Sequence, residues 1–280
     1  MLDEATFQAF RGRITAASGL YIPSDENSRY LLERRLAPRL RLRGLASYAE
    51  YAAAIDPQEL EALLDVIAVH ETYFFREKRQ LDVFAQRIIP ELARQERAVK
   101  IWSAGCSTGE EPYSIAITIA DTLSNSEAWN VEILATDVGR QALKHAERGI
   151  YSGRSIAAVK DSQLASHFTA VKGGYEVKPR LKKFVTFTQM NLASAVYVGR
   201  MDVIFCMNVM IYFSEERRRT LVQRFYDSLE PGGYLFLGHS ESISKMPVKF
   251  QAIVLNDCIL YRKPIAEELL KPELVTEGRA

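Results

Sequence analysis

Residues 103–114 run Ser103-Ala104-Gly105-Cys106-Ser107-Thr108-Gly109-Glu110-Glu111-Pro112-Tyr113-Ser114, directly after the strand-like run Val99-Lys100-Ile101-Trp102. A strand feeding a glycine-bearing turn that opens a helix is how an α/β sheet meets a nucleoside-bearing cofactor. Gly105 and Gly109 let the backbone turn tightly and approach a ligand. The acidic pair after Gly109 narrows the choice. A pyrophosphate site wants bare amides and cations there. Glu110 and Glu111 suit a ligand with an ammonium group and hydroxyls, such as S-adenosylmethionine (SAM). Glu110 is then placed to accept from the methionyl ammonium. On two glycines alone, a plain strand–helix turn is the simpler reading.

The pattern on either side supports an α/β domain. From Lys100 onward, strand-like runs at Val99–Trp102, Val131–Thr136, Val185–Thr188, Asp202–Cys206, Tyr234–Leu237 and Ile253–Tyr261 alternate with helical segments. That alternation predicts a mostly parallel sheet covered by helices. Residues 1 to about 80 read as helices only, with Leu31, Leu32, Leu36, Leu40 and Leu45, then Leu60, Leu63, Leu64 and Ile67, at helical spacing. Pro38 is expected to kink or split the first of these helices. The segment Leu81–Glu96 is expected to be a helix joining the two parts. Gly173-Gly174 lies between Phe168–Val171 and Tyr175–Val177, a hairpin signature that predicts a small antiparallel insertion at about 160–186. After Pro264 the polar tail 265–280 is expected to end in a frayed helix.

Bulk properties exclude several classes. The chain has 280 residues with a net charge of +1, so no global affinity for polyanions is encoded. Three widely spaced cysteines, Cys106, Cys206 and Cys258, argue against a zinc site and a disulfide scaffold and fit a reducing cytoplasm. No apolar run approaches the ~20 residues of a membrane span, and the N-terminus lacks a signal-peptide core.

Further candidate site residues lie at strand ends. Asp137 closes the run Leu134-Ala135-Thr136-Asp137, where an acidic residue suits ribose hydroxyls, although it also reads as a helix cap. Asn191-Leu192 follows the next strand, where an adenine amino group needs a partner. Asn208-Val209-Met210-Ile211-Tyr212-Phe213 follows Asp202–Cys206, where α/β enzymes place reacting groups. It lacks the prolines of amine and base N-methyltransferases and the Pro-Cys pair of cytosine C5-methyltransferases. In His70-Glu71-Thr72-Tyr73-Phe74-Phe75-Arg76-Glu77, Arg76 is a fixed cation able to orient a carboxylate bidentately; an interdomain salt bridge is the simpler role. Arg29, Arg34, Arg35, Arg39, Arg41 and Arg43 crowd one stretch opposed only by Glu33, a local basic surface for an acidic helix or for nucleic acid. No interleaved aromatics support nucleic acid.

Together these strings resemble the CheR family of chemotaxis receptor methyltransferases, from about residue 5 to residue 263. The likeness rests on Thr72–Glu77, Ser107–Ser114, Ala135–Asp137, Asn208–Phe213 and Gly238-His239-Ser240-Glu241. It implies an all-α N-terminal receptor-recognition domain at 1–80. It also implies a class I, Rossmann-like SAM-binding domain at 81–264, with an inserted antiparallel β-subdomain. The implied activity is methylation of glutamate side chains on chemoreceptor cytoplasmic helices, releasing S-adenosylhomocysteine (SAH), without a metal. Family cofactor contacts match His70, Thr72, Arg76, Glu110, Asp137, Asn191, Leu192, Cys206 and Met207, to which position in the fold adds Gly105, Gly109 and Asn208. The family often has Asn at the place of His70 and Arg at that of Met207. The catalytic roles match Arg76 and Tyr212, and the receptor surface would carry Arg34, Arg35, Arg39, Arg41 and Arg43. The connection Lys172-Gly173-Gly174 is shorter than in members that dock on a receptor pentapeptide, so pentapeptide-independent action is expected. A cytoplasmic monomer with no nucleic-acid partner and no membrane insertion completes the expectation. Two alternatives stay open: a SAM-dependent methyltransferase of another substrate, and a non-catalytic SAM-sensing module.

Overall fold

The computed structural model describes residues 1–68, 70–94, 98–123, 130–194 and 198–265. It begins with four helices: α1 (Glu4–Ser18), α2 (Glu26–Leu42), α3 (Tyr48–Ala53) and α4 (Pro57–Ile67). Asp3, Asp25, Ser47 and Asp56 cap their N-termini by accepting a backbone N–H three residues on. Phe7, Phe10, Ile14, Leu36, Tyr51 and Leu63 form their common core. Pro38 lies inside α2 without splitting it.

The linking segment is less regular than one helix. It comprises α5 (Lys78–Val83), a π-helical turn (Phe84–Ile88) and α6 (Ile89–Leu92). Pro90, which has no N–H to donate, sits at the start of α6. Residues 95–97 and the tail beyond 265 lie outside the described residues.

The strands are β1 (Val99–Ala104), β2 (Val131–Asp137), β3 (Ile150–Tyr151), β4 (Phe168–Val171), β5 (Gly174–Val177), β6 (Val185–Gln189), β7 (Met201–Cys206), β8 (Leu229–Leu237), β9 (Gln251–Leu255) and β10 (Cys258–Arg262). Among the described residues, seven form a sheet in the order β6-β2-β1-β7-β8-β10-β9, and β3-β5-β4 form a small one. Pairing is parallel from β6 to β8 and antiparallel through β10 and β9. The helices α7 (Glu110–Thr122), α8 (Arg140–Arg148), α9 (Asp161–His167), α10 (Pro179–Lys182) and α11 (Glu215–Ser228) complete the chain.

The central strands are buried on both faces, as parallel sheets are. Phe205 and Phe236 face Phe84, Ile115 and Ile117 on one side. Trp102, Ile204 and Leu235 face Phe225 on the other.

Two strand expectations need correcting. The run Ile253–Tyr261 is a hairpin, because Asn256 and Asp257 both take left-handed conformations (φ +48° and +60°) and reverse the chain. The small sheet recruits Ile150–Tyr151 from outside the expected insertion, while Val185–Gln189 pairs with β2 in the main sheet as its run predicts.

The arginine stretch divides. Arg39 donates to Glu59 through Nε (3.0 Å) and Nη2 (2.6 Å), and Arg43 Nη1 lies 3.4 Å from the same carboxylate. The Glu59 side chain is only 2% exposed. Arg39 and Arg43 therefore tie the helical framework together, because a buried carboxylate needs its cations, while Arg43 stays partly open to solvent. Arg35 turns inward and donates to the Ile67 carbonyl. Arg34 and Arg41 remain exposed, Arg34 over the Tyr30 ring.

Candidate active site

The chain runs from β1 outward to β2 and β6, then returns to place β7 on the other side of β1. Ligands bind α/β sheets at such a switch point, outside the carboxyl ends of the strands. A cavity of about 210 Å³ opens there. Its wall includes Gly105, Cys106 and Ser107 after β1, Asp137 at the end of β2, Met190, Asn191 and Leu192 after β6, and Met207, Asn208 and Val209 after β7. His70, Thr72 and Arg76 close one side, and Tyr212 another. The helical unit adds Leu20, Tyr21, Ile22 and Arg35, which lie far from the sheet in sequence.

Backbone strain gathers at this cavity. Among the described residues, five non-glycine positions have positive φ, and three of them, Phe75 (+57°), Ser107 (+49°) and Asn208 (+62°), line it. Such conformations persist only where surrounding bonds enforce them. For Ser107, Asp137 accepts the Ser107 N–H through Oδ2 at 2.8 Å while its Oδ1 accepts the Gly139 N–H at 2.8 Å. Asn208 is held by Glu241, whose Oε2 accepts the N–H groups of Asn208 (2.8 Å) and Gly238 (2.9 Å) and whose Oε1 accepts that of Met210 (2.8 Å). Asn208 Nδ2 donates to Glu77 Oε1 at 2.8 Å.

Glu111 lies on the cavity wall and accepts one hydrogen bond, from Ser103 Oγ at 2.7 Å. Burial, reinforced by the Glu241 and Glu77 carboxylates, pushes its pKa up to about 8 against the opposing effects of Ser103 and Arg76. Burial likewise raises the pKa of Asp137, although its two backbone donors and His70 favour the ionised form. It also raises that of the Tyr212 phenol, partly offset by Arg76 and Arg35.

Of the expected residues, His70, Thr72, Arg76, Gly105, Asp137, Asn191, Leu192, Met207, Asn208 and Tyr212 converge on the cavity. His70 Nδ1 lies 3.1 Å from Ser107 Oγ. The Asn191 amide is already used, since Nδ2 donates to Ala17 O (2.6 Å) and Oδ1 accepts from Ala193 N (2.8 Å). Gly109, Glu110 and Cys206 do not reach the wall. A Cβ on Gly109 would lie 2.6 Å from Ala146 Cβ and 2.7 Å from the Tyr151 hydroxyl, so that glycine serves helix packing. Glu110 is turned away and held by Ser155 Oγ (2.6 Å) and Thr108 Oγ1 (2.7 Å). Cys206, the last residue of β7, is fully buried in the core. The residue that sequence reasoning undervalued is Glu111. Adjacent positions on a helix point about 100° apart, so one member of the pair faces the cavity and the other does not.

These residues fit SAM. A carboxylate at the helix start suits an ammonium, and Asp137 suits a diol. Met190, Leu192, Met207 and Val138 supply apolar wall for a base. Gly105 stands where a Cβ would come 2.6 Å from Val209 Cγ2, which keeps the turn open.

Comparison with known proteins agrees. The profile of the CheR methyltransferase all-alpha domain matches residues 5–68, and that of the CheR methyltransferase SAM binding domain matches residues 70–259. The chain belongs to the CheR methyltransferase family. It is a SAM-dependent methyltransferase. Chemotaxis protein methyltransferase 2 of Vibrio cholerae is 35% identical over 276 residues, 94% of each chain. Chemotaxis protein methyltransferase 1 of Pseudomonas aeruginosa is 34% identical over 270 residues, 92% of this chain and 97% of that one. Among solved structures, the N-methyltransferase NodS of Bradyrhizobium japonicum is 14% identical over 68% of this chain and 97% of that one, with a TM-score of 0.39. Among the described residues no helix is long and apolar enough to cross a membrane.

Proposed function

We propose that this CheR family member esterifies glutamate side chains on the cytoplasmic helices of chemoreceptors, with SAM as methyl donor. The carrying observation is the convergence of Arg76 and Tyr212 on one cavity whose remaining wall fits SAM. The relatives' names as chemotaxis protein methyltransferases support the acceptor class.

SAM supplies a sulfonium-activated methyl group when bound. Glu111 would hold its ammonium, Asp137 its ribose hydroxyls, and Met190, Leu192 and Met207 would enclose its base. Thr72, Asn208 and the turn at Gly105 complete the cradle. The acceptor carboxylate has an ordinary pKa of about 4.3 and is ionised at neutral pH, so the reaction needs no general base. This agrees with a wall whose histidine, His70, is committed to Ser107. Arg76 orients the incoming carboxylate, and Tyr212 bounds the path of the methyl group. The task is in-line placement, which supplies a large share of rate acceleration in bimolecular reactions. Exposed Arg34 and Arg41 on α2 would meet the acidic receptor helix, while Arg35 faces the cavity itself. The tight connection between β4 and β5 supports action without a receptor pentapeptide.

The test is methyl transfer from labelled SAM to a chemoreceptor cytoplasmic fragment, followed by alkali. Volatile labelled methanol is expected from the wild-type chain, with most of it lost in Arg76→Ala. Label that survives alkali, or a fully active Arg76→Ala variant, contradicts this reading.

A further inference from the structure

The segment Thr72–Arg76 carries the acceptor-orienting arginine, yet it is neither helix nor strand. Its shape is fixed by two short relays that both end on Glu110. Phe74 N donates to Ser155 O at 2.9 Å, and Ser155 Oγ donates to Glu110 Oε1 at 2.6 Å. Phe75 N donates to Ser114 Oγ at 3.0 Å, and Ser114 Oγ donates to Glu110 O at 2.6 Å. The Phe74 ring is fully buried, edge-on to Tyr151 (4.9 Å) and Phe168 (5.4 Å). Phe75 follows in a left-handed conformation and Arg76 comes next.

We propose that Glu110 is a positioning residue for Arg76, acting through Ser155, and not a ligand of the cofactor. The inference rests on the role given to Arg76 above. Glu110 is 3% exposed and absent from the cavity wall, and both its oxygens are occupied by hydroxyl donors. A buried carboxylate needs such donors, so it fixes where Ser155 can sit. The Ser155 carbonyl then fixes the Phe74 amide, two residues before the guanidinium. The left-handed Phe75 is retained only while these bonds over-determine it. A displacement of 1 Å at a positioned group costs up to about 100-fold in rate.

The experiment compares Glu110→Ala, Glu110→Gln, Ser155→Ala and Ser155→Thr in the full chain. Readouts are SAH affinity by calorimetry, kcat on the receptor fragment, thermal midpoint, and amide hydrogen exchange at Phe74 and Phe75. Glu110→Ala and Ser155→Ala should bind SAH within about twofold of wild type, lose kcat by roughly 10- to 100-fold and exchange Phe74 faster. A chain carrying both Glu110→Ala and Ser155→Ala should fall no further than the worse single variant, because both act on one chain of bonds. Ser155→Thr keeps the hydroxyl and should recover most of the rate. Glu110→Gln, neutral but able to bond both hydroxyls, should keep SAH affinity and most of the rate. A tenfold or greater loss of SAH affinity in Glu110→Gln overturns the proposal, because only a charge partner of the cofactor would cause it. Wild-type kcat and exchange in Ser155→Ala overturn it equally, and that variant carries the test alone if Glu110→Ala does not fold. Amide exchange and SAH binding need no acceptor, so a chain that labels no receptor refutes the proposed substrate and leaves this test standing.

Discussion

Replacing Arg39 with alanine separates the framework role of the arginine-rich helix from its proposed docking role. Arg39 grips Glu59 as a fork, with Nε on one oxygen at 3.0 Å and Nη2 on the other at 2.6 Å, and Tyr51 Oη adds a third bond at 2.6 Å. Glu59 is 2% exposed and Arg39 21%, so solvent cannot replace the lost partner. Removing one member of a buried pair costs about 3–5 kcal/mol. Because Tyr51 and Arg43 still reach the carboxylate, the lower end applies, about 3 kcal/mol. At roughly 2–4 °C per kcal/mol for a chain of this size, the thermal midpoint should fall by about 6–12 °C. The sign with pH is also set. Burial pushes the Glu59 pKa up, but the bonds from Arg39 and Tyr51 and the charge of Arg43 leave it net below 4.5. Its contribution is therefore present above the unfolded value and is lost as pH falls through the folded one. The gap in midpoint between wild type and Arg39→Ala should hold at neutral pH and narrow as pH falls below about 4.5. Thermal unfolding followed by circular dichroism measures the gap, and methyl transfer well below the transition measures function. A variant with wild-type stability but little receptor labelling would refute the reasoning and return Arg39 to the docking surface.

Three further outcomes follow from the site. Glu111, with its pKa near 8, keeps a proton in the folded state that the unfolded chain has already lost. The stability of the cofactor-free protein should thus fall as pH rises from about 5 to 8, and Glu111→Gln should flatten that slope in calorimetry and weaken SAH binding. Gly105→Ala faces both a φ of +87° and Val209 at 2.6 Å; a loss of about 1–3 kcal/mol and a weaker SAH complex are expected. Gly153→Ala, with φ +57° and open space around it, is the control for backbone strain alone. Arg34→Glu combined with Arg41→Glu should slow receptor methylation more at low salt than at high salt, leaving SAH affinity unchanged, since exposed charges are screened beyond about 10 Å at 0.1 M salt.

How much of this was legible beforehand divides along the range of the interactions. The turn after β1 could be read because its glycines, its strand and its helix are contiguous, and because parallel strands carry apolar runs that announce themselves. The hairpin at Asn256-Asp257 was equally local. It escaped because the apolar residues on both sides read as one run, although two adjacent residues able to take positive φ are its signal. The choice between Glu110 and Glu111 was of another kind. It depends on the direction in which α7 leaves Gly109, at φ +96°, and on Ser155 arriving from forty-five residues away to bond Glu110. The arginines show the same thing. Six charges in one stretch gave no sign that Glu59 would bury itself beneath two of them, because the pairing joins α2 to α4 across the helical core.

The same reasoning explains why the roof of the cavity was missed. Gly19 ends α1 in a left-handed turn, and a Cβ there would lie 2.3 Å from Ala193 Cβ. From that turn Tyr21 N donates to Tyr212 O at 2.8 Å, and Asn191 Nδ2 reaches Ala17 O at 2.6 Å. The helical unit is thereby bonded both to the backbone of Tyr212 and to the turn after β6. No motif records these contacts, since each bond involves a backbone group that any residue supplies. A receptor helix docked on α2 would consequently bear on the helical unit whose Tyr21, just before α2, already touches Tyr212. Under the proposed function, recognition and chemistry would share one framework, because Arg34 and Arg41, which would attract the acidic face, lie on the same helix whose Arg35 lines the cavity.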